Sequence, residues 1–97
     1  MPFIETKTNT HISEDAEAAL RKKLGEAITC LPGKSEEWLM LSFEDGCRMA
    51  FRGKADGALA MVEVKIFGRA SGAAYDRLTA KITEILGEVL HIPASGV

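Results

Sequence analysis

Twice along this chain, alternating residues give way to an apolar rhythm of threes and fours, and that double switch of period limits the fold more than any single residue does. Phe3, Glu5 and Lys7 alternate with Ile4, Thr6 and Thr8, which predicts a strand at the very start of the chain. Ser13 followed by Glu14 and Asp15 offers a capping hydroxyl and acids suited to the positive end of a helix. Ala16, Leu20, Leu24, Ala27, Ile28 and Leu31 then recur at helical spacing, while Arg21, Lys22, Lys23 and Glu26 lie largely off that stripe. Pro32 and Gly33 stop the helix.

The second half repeats the theme. Trp38 to Phe43 is a nearly continuous apolar run, which predicts a strand covered on both faces, and Glu44-Asp45-Gly46 supplies a turn. Cys47, Met49 and Phe51 alternate with Arg48, Ala50 and Arg52 as a short strand, and Gly53 to Gly57 interrupts the pattern. Residues Ala58 to Phe67 form the longest strand candidate, with Ala60, Val62, Val64 and Ile66 on one face. A loop from Gly68 to Gly72 leads into a second helix, in which Tyr75, Leu78, Ile82, Ile85, Leu86 and Val89 share a face. This order predicts an α+β fold: a β-α-β repeat with two helices packed on one face of a four-stranded mixed sheet, because right-handed crossovers put both helices on the same side. The other face, with Leu59, Met61 and Phe67, is expected to be an interface in an oligomer whose sheets pack together.

Composition narrows the partners. At 97 residues, residues 1–97 are expected to form a single domain, and 46% hydrophobic with 27% charged residues describes a globular one. The formal charge is only -2 and the signs are interspersed, so no basic stripe awaits nucleic acid. Cys30 and Cys47 form no C-x-x-C pair and stand far from His11 and His91 in sequence, so they read as reduced thiols, and neither a metal nor another cofactor is expected. Lacking a signal-peptide pattern and any run of membrane-spanning length, the chain is expected to be cytoplasmic and without a membrane partner.

The residues Met1-Pro2-Phe3-Ile4 with Thr8-Asn9 after them, Gly33-Lys34-Ser35, and Ile66-Phe67-Gly68 ahead of a Gly-containing loop and helix carry a likeness. In these the chain resembles the macrophage migration inhibitory factor family of the tautomerase superfamily, and is most similar to its bacterial phenylpyruvate-tautomerase-like members. The likeness runs through essentially the whole chain and rests on collinearity rather than on one long motif. It implies a β-α-β repeat protomer, a homotrimer whose sheets form a central barrel, and active sites at subunit interfaces. It further implies keto–enol tautomerisation of a small phenylpyruvate-like 2-keto acid or its enol. Pro2 corresponds to the catalytic base, Lys34 to the lysine that contacts acidic or carbonyl oxygens, and Phe67 to a pocket-lining position whose backbone N–H also meets substrate. Two departures stand out. Ser95-Gly96-Val97 ends the chain where family members continue into a further strand and a short segment with aromatic and Asn pocket residues, and Leu59-Ala60-Met61-Val62 replaces the C-x-x-C of the mammalian cytokine. A non-catalytic interaction protein of the same fold is the alternative reading.

The chemistry suits these residues. Tautomerisation needs one group that takes a proton from carbon or oxygen and returns it to the other, with a pKa close to the working pH. His11 and His91 fall at loop or helix-end positions. A free α-amine titrates nearer neutrality than a lysine, and an apolar setting beside another cation lowers its pKa further. Pro2 supplies such an amine only once Met1 is removed, and its ring fixes the direction of the lone pair. Taken singly, Pro2 is simply the residue after the initiator and Lys34 a solvated charge; together, a cation beside an amine can also hold a carboxylate or steady an enolate oxygen. Phe67 is as much at home in a core or interface as in a pocket. Arg48, Arg52 and Arg69 read as surface charges.

Overall fold

The computed structural model describes Met1–Val97 and has five main elements, which complete one β-α-β passage and begin a second that ends at its helix, with no strand after it. These are β1 (Phe3–Thr8), α1 (Glu14–Ala27), β2 (Met40–Glu44), β3 (Ala60–Lys65) and α2 (Gly72–Leu90). The sheet order is β2-β1-β3, with β2 parallel and β3 antiparallel to the central β1. Parallel pairing of β1 with β2 requires a crossover, and α1 provides it.

Each helix starts where a serine satisfies it. Ser13 accepts the Ala16 N–H and Ser71 accepts the Ala74 N–H, each at 3.1 Å. Helix α2 ends at His91, which adopts a left-handed conformation (φ 57°) and donates its backbone N–H to the Leu86 carbonyl. The two helices pack on one another and on one side of the sheet, where Ile4 meets Leu20, Leu24, Ile28, Leu31, Leu78, Ile82 and Leu86 in a single buried cluster. Along β1 the burial alternates, with Ile4, Thr6 and Thr8 inside and Phe3, Glu5 and Lys7 on the helix-free side, as a strand with one covered face requires. No helix is long and apolar enough to cross a membrane.

The four-stranded sheet expected from the sequence is three-stranded here. Residues 47–51 alternate as a strand does, yet find no strand partner: after the Cys47 N–H reaches the Thr8 carbonyl (2.9 Å), the segment leaves the sheet. It closes instead in a tight hairpin, with Phe51 and Lys54 exchanging backbone bonds of 2.8 and 3.0 Å around Arg52 (φ 55°) and Gly53 (φ 77°). Positive φ at both central residues is the turn that matches strand twist.

Three further expectations change. Strand β2 is an edge strand rather than one covered on both faces, and it starts at Met40 because Glu36–Trp38 coil into a 3-10 turn. Strand β3 is shorter than the apolar pattern because the Asn9 side chain takes over the backbone ahead of it. Asn9 donates to the Gly57 carbonyl (2.9 Å) and accepts the Leu59 N–H (2.8 Å), while the Thr8 hydroxyl donates to the Leu59 carbonyl (2.7 Å). The helix-free face is also less apolar than Leu59, Met61 and Phe67 suggested: Leu59 is buried, and Phe67 lies beyond the strand. Across this face Phe3 stands opposite Lys65, Glu5 opposite Glu63 and Lys7 opposite Met61, so like charges occupy its middle.

Candidate active site

Pro2, Lys34 and Phe67 arrive from three separate segments at one end of the sheet. Pro2 is buried just ahead of β1, and its carbonyl accepts the Met40 N–H at 2.9 Å, which ties the chain start to β2. The antiparallel register sets Phe3 opposite Lys65, the last pair of the ladder, so Phe67 leaves the sheet two residues beyond the end at which Pro2 precedes β1. Lys34 reaches the same place through a turn: Pro32 and Gly33 (φ 79°) bend the chain so that the Lys34 N–H bonds to the Leu31 carbonyl at 3.1 Å. Proline followed by a glycine at positive φ is the pairing a type II turn demands.

From there the Lys34 ammonium donates to the Phe67 carbonyl at 2.9 Å, a charge-assisted bond between residues 33 positions apart. Gly68 follows at φ 104°, so the strand end can turn sharply beside the ammonium. The backbone N–H groups of Phe67 and Gly68 make no hydrogen bond within the chain. The turn after Lys34 is seated on α1 at Gly25, where a Cβ would stand in the place of the Glu36 carboxyl.

One aromatic residue that the sequence reading assigned to a strand belongs to this end as well. Trp38 closes the Glu36–Trp38 turn two residues before Met40 and is 64% exposed. As the only tryptophan, set between Lys34 and the strand that bonds to Pro2, it was open to detection from its place in the sequence. The Phe67 ring is 86% exposed, so in this chain it stands in the open rather than lining an enclosed pocket. The best-formed cleft, about 100 Å³, lies at the opposite end of β1 and is lined mainly by Met49, Phe51, Leu59, Met61 and Val97.

Of the remaining candidates, only Arg69 is near this end. Arg52 sits over the Phe51 ring at 5.2 Å in the hairpin, whereas Arg69 follows Phe67 and Gly68 directly. His11 approaches Asp45 at 3.2 Å beyond the far end of β1. The Ile12 N–H bonds to the same carboxylate at 2.8 Å and, with His11 beside it, holds the Asp45 carboxyl below its ordinary range. Glu88 is held low by the hydrogen bond and charge of Lys23. Cys30 and Cys47 are free thiols, and no three of the His, Cys, Asp and Glu side chains gather as a metal site.

Solved structures of the same architecture define the class. MIF2 of Leishmania major superposes with a TM-score of 0.90 at 25% identity, over 99% of this chain and 82% of that one. A macrophage migration inhibitory factor homologue from Prochlorococcus marinus gives 0.85 at 26% identity, over 97% and 81%. The protein Pt0534, solved after inactivation by 2-oxo-3-pentynoate, shares the fold at a TM-score of 0.85 and 15% identity, over 98% and 79%. Comparison with curated protein sequences gives no match. The family profile described as macrophage migration inhibitory factor (MIF) matches residues 1–97. The chain belongs to the macrophage migration inhibitory factor family, within the tautomerase superfamily.

Proposed function

We propose that this chain, once Met1 is removed, is a keto–enol tautomerase of phenylpyruvate-like 2-keto acids, working in the cytoplasm as a homotrimer of one 1–97 domain. Family membership supports a tautomerase-like or MIF-like function, and the observation that carries the finer reading is the Lys34 ammonium held 2.9 Å from the Phe67 carbonyl at the sheet end where Pro2 begins. In the enol-to-keto direction the Pro2 nitrogen takes the enol hydroxyl proton as the C–O bond becomes C=O, and returns a proton to the neighbouring carbon, where the former C=C π pair forms the new C–H bond while C=C becomes C–C. Lys34, with the free N–H groups of Phe67 and Gly68, holds the substrate carboxylate and the oxygen on which charge develops. Trp38 offers an aromatic wall for the substrate's ring. Pt0534 is inactivated by a 2-oxo acid, which makes that class the first to try here.

The exposure of Phe67 favours one second reading, a non-catalytic interaction protein of the same fold. Decay of the phenylpyruvate enol absorbance, followed with protein whose intact mass shows Met1 removed, separates the two. The tautomerase reading expects turnover that Pro2→Gly abolishes; equal rates for the two proteins sink it.

A further inference from the structure

We propose that Tyr75 is a positioning residue for this site: its hydroxyl holds the strand-end loop that presents the Phe67 and Gly68 N–H groups to an anionic ligand. The inference rests on the reading of this sheet end as the binding site. Between the end of β3 and the cap of α2, the loop is tied to the rest of the chain by two side-chain hydrogen bonds. One is Lys34 Nζ to the Phe67 carbonyl at 2.9 Å, and the other is the Ala70 N–H to Tyr75 Oη at 3.2 Å. No backbone–backbone bond from Phe67, Gly68, Arg69 or Ala70 supplements them.

The two ties respond differently to a ligand. A carboxylate arriving at the site competes with the Phe67 carbonyl for the Lys34 ammonium, because the stronger acceptor takes the charged donor. The tie on that side is therefore given up, at least in part, whenever Lys34 does its proposed work. The Ala70–Tyr75 bond does not involve Lys34, so turning the ammonium to the ligand leaves it in place. Gly68 at φ 104° gives the loop little stiffness of its own. With Lys34 turned to the ligand, Tyr75 supplies the one side-chain hydrogen bond left on the loop, beside the packing of Ile66 and Ala70 against the core.

The position of Tyr75 fits that task. Helical spacing places it on the apolar face with Leu78 and Ile82, but it lies in the first turn of α2, where it is partly exposed while Leu78 and Ile82 are buried. Phenylalanine could supply its packing; only tyrosine offers the loop an acceptor.

Tyr75→Phe tests the proposal with two readouts. Titration with phenylpyruvate, followed by the NMR shifts of the Phe67 and Gly68 amides, is expected to show binding weakened by about three- to tenfold, as the loss of one hydrogen bond implies. Hydrogen exchange of the Ala70 amide is expected to quicken. In turnover assays KM rises with kcat changed by less than about twofold, because the base and the ammonium are untouched. Wild-type affinity in the variant, or unchanged Ala70 exchange, overturns the proposal, as does a wild-type protein that fails to bind phenylpyruvate. Binding without turnover in the wild type overturns the tautomerase reading alone.

Discussion

The Lys34 ammonium and the Phe67 carbonyl meet at 2.9 Å, joining the turn after the first helix to the end of the third strand. The bond lies at the surface, so its contribution to folding is small, and the proposed role of Lys34 rests on chemistry rather than on stability. Lys34→Met is expected to lower kcat/KM for the phenylpyruvate enol by about ten- to a hundredfold, while stability shifts by less than about 1 kcal/mol. Steady-state kinetics and a urea denaturation curve together check this; equal losses in both mark Lys34 as structural only.

Gly33 makes a more local prediction. Its φ of 79° lies in the left-handed region, where a β-branched side chain is strained by roughly 1–2 kcal/mol. Gly33→Val is expected to lower the thermal midpoint and to weaken phenylpyruvate binding together, since the turn it distorts aims Lys34. Gly33→Asn is expected to be milder on both counts, because asparagine tolerates that conformation. Identical behaviour of the two variants excludes the turn as the cause.

Asn9 serves the opposite end of the sheet. Its side chain bonds to Gly57 and Leu59 where ladder bonds would otherwise run. Asn9→Ala is expected to cost about 1–3 kcal/mol in urea unfolding, because it leaves a partly buried N–H without its partner. Binding at the Lys34 end is expected to stay within about twofold of wild type, since the two ends share no contact of this residue.

Acid sensitivity should concentrate at Asp45. Its carboxyl is held below the ordinary range by the Ile12 N–H first and by His11 next. A group with a lowered folded pKa contributes stability above its unfolded pKa and loses it as pH falls through the folded value. The thermal midpoint of the wild type is therefore expected to fall as pH drops through and below the ordinary carboxylate range, and Asp45→Asn to flatten a small part of that decline, since the group is exposed. What slope remains belongs in part to Glu88, which Lys23 holds low in the same sense. An unaltered slope in Asp45→Asn refutes the assignment.

Much of this architecture was legible because it follows from spacing. Ser13 and the acids after it mark the start of α1, and Ile4, Thr6 and Thr8 are buried as alternation demands, whereas the helix ends at Ala27 and tightens into a 3-10 turn over Ile28–Cys30 before Pro32 and Gly33 are reached. What spacing could not say was who pairs with whom. Residues 47–51 alternate without a partner in the chain because alternation reports a two-sided environment and not a hydrogen-bonded neighbour. Pro2, Lys34 and Phe67 were found by likeness, and the structure brings them to one end of the sheet. Tyr75 passed as a core residue because its apolar ring satisfies the helical period, while the reach of its hydroxyl to Ala70 depends on a loop whose path no periodicity records.

The row of Glu5 and Glu63 has a consequence for how copies of the chain can meet. Two such faces laid flat on one another would crowd carboxylates from both sheets into one dry layer, at a desolvation cost that Lys7 and Lys65 only partly offset. Self-association by sandwiching of these faces is thereby disfavoured, and contacts along strand edges avoid that cost. High salt should leave such edge contacts largely intact, since backbone bonds feel little of the screening that weakens exposed charges.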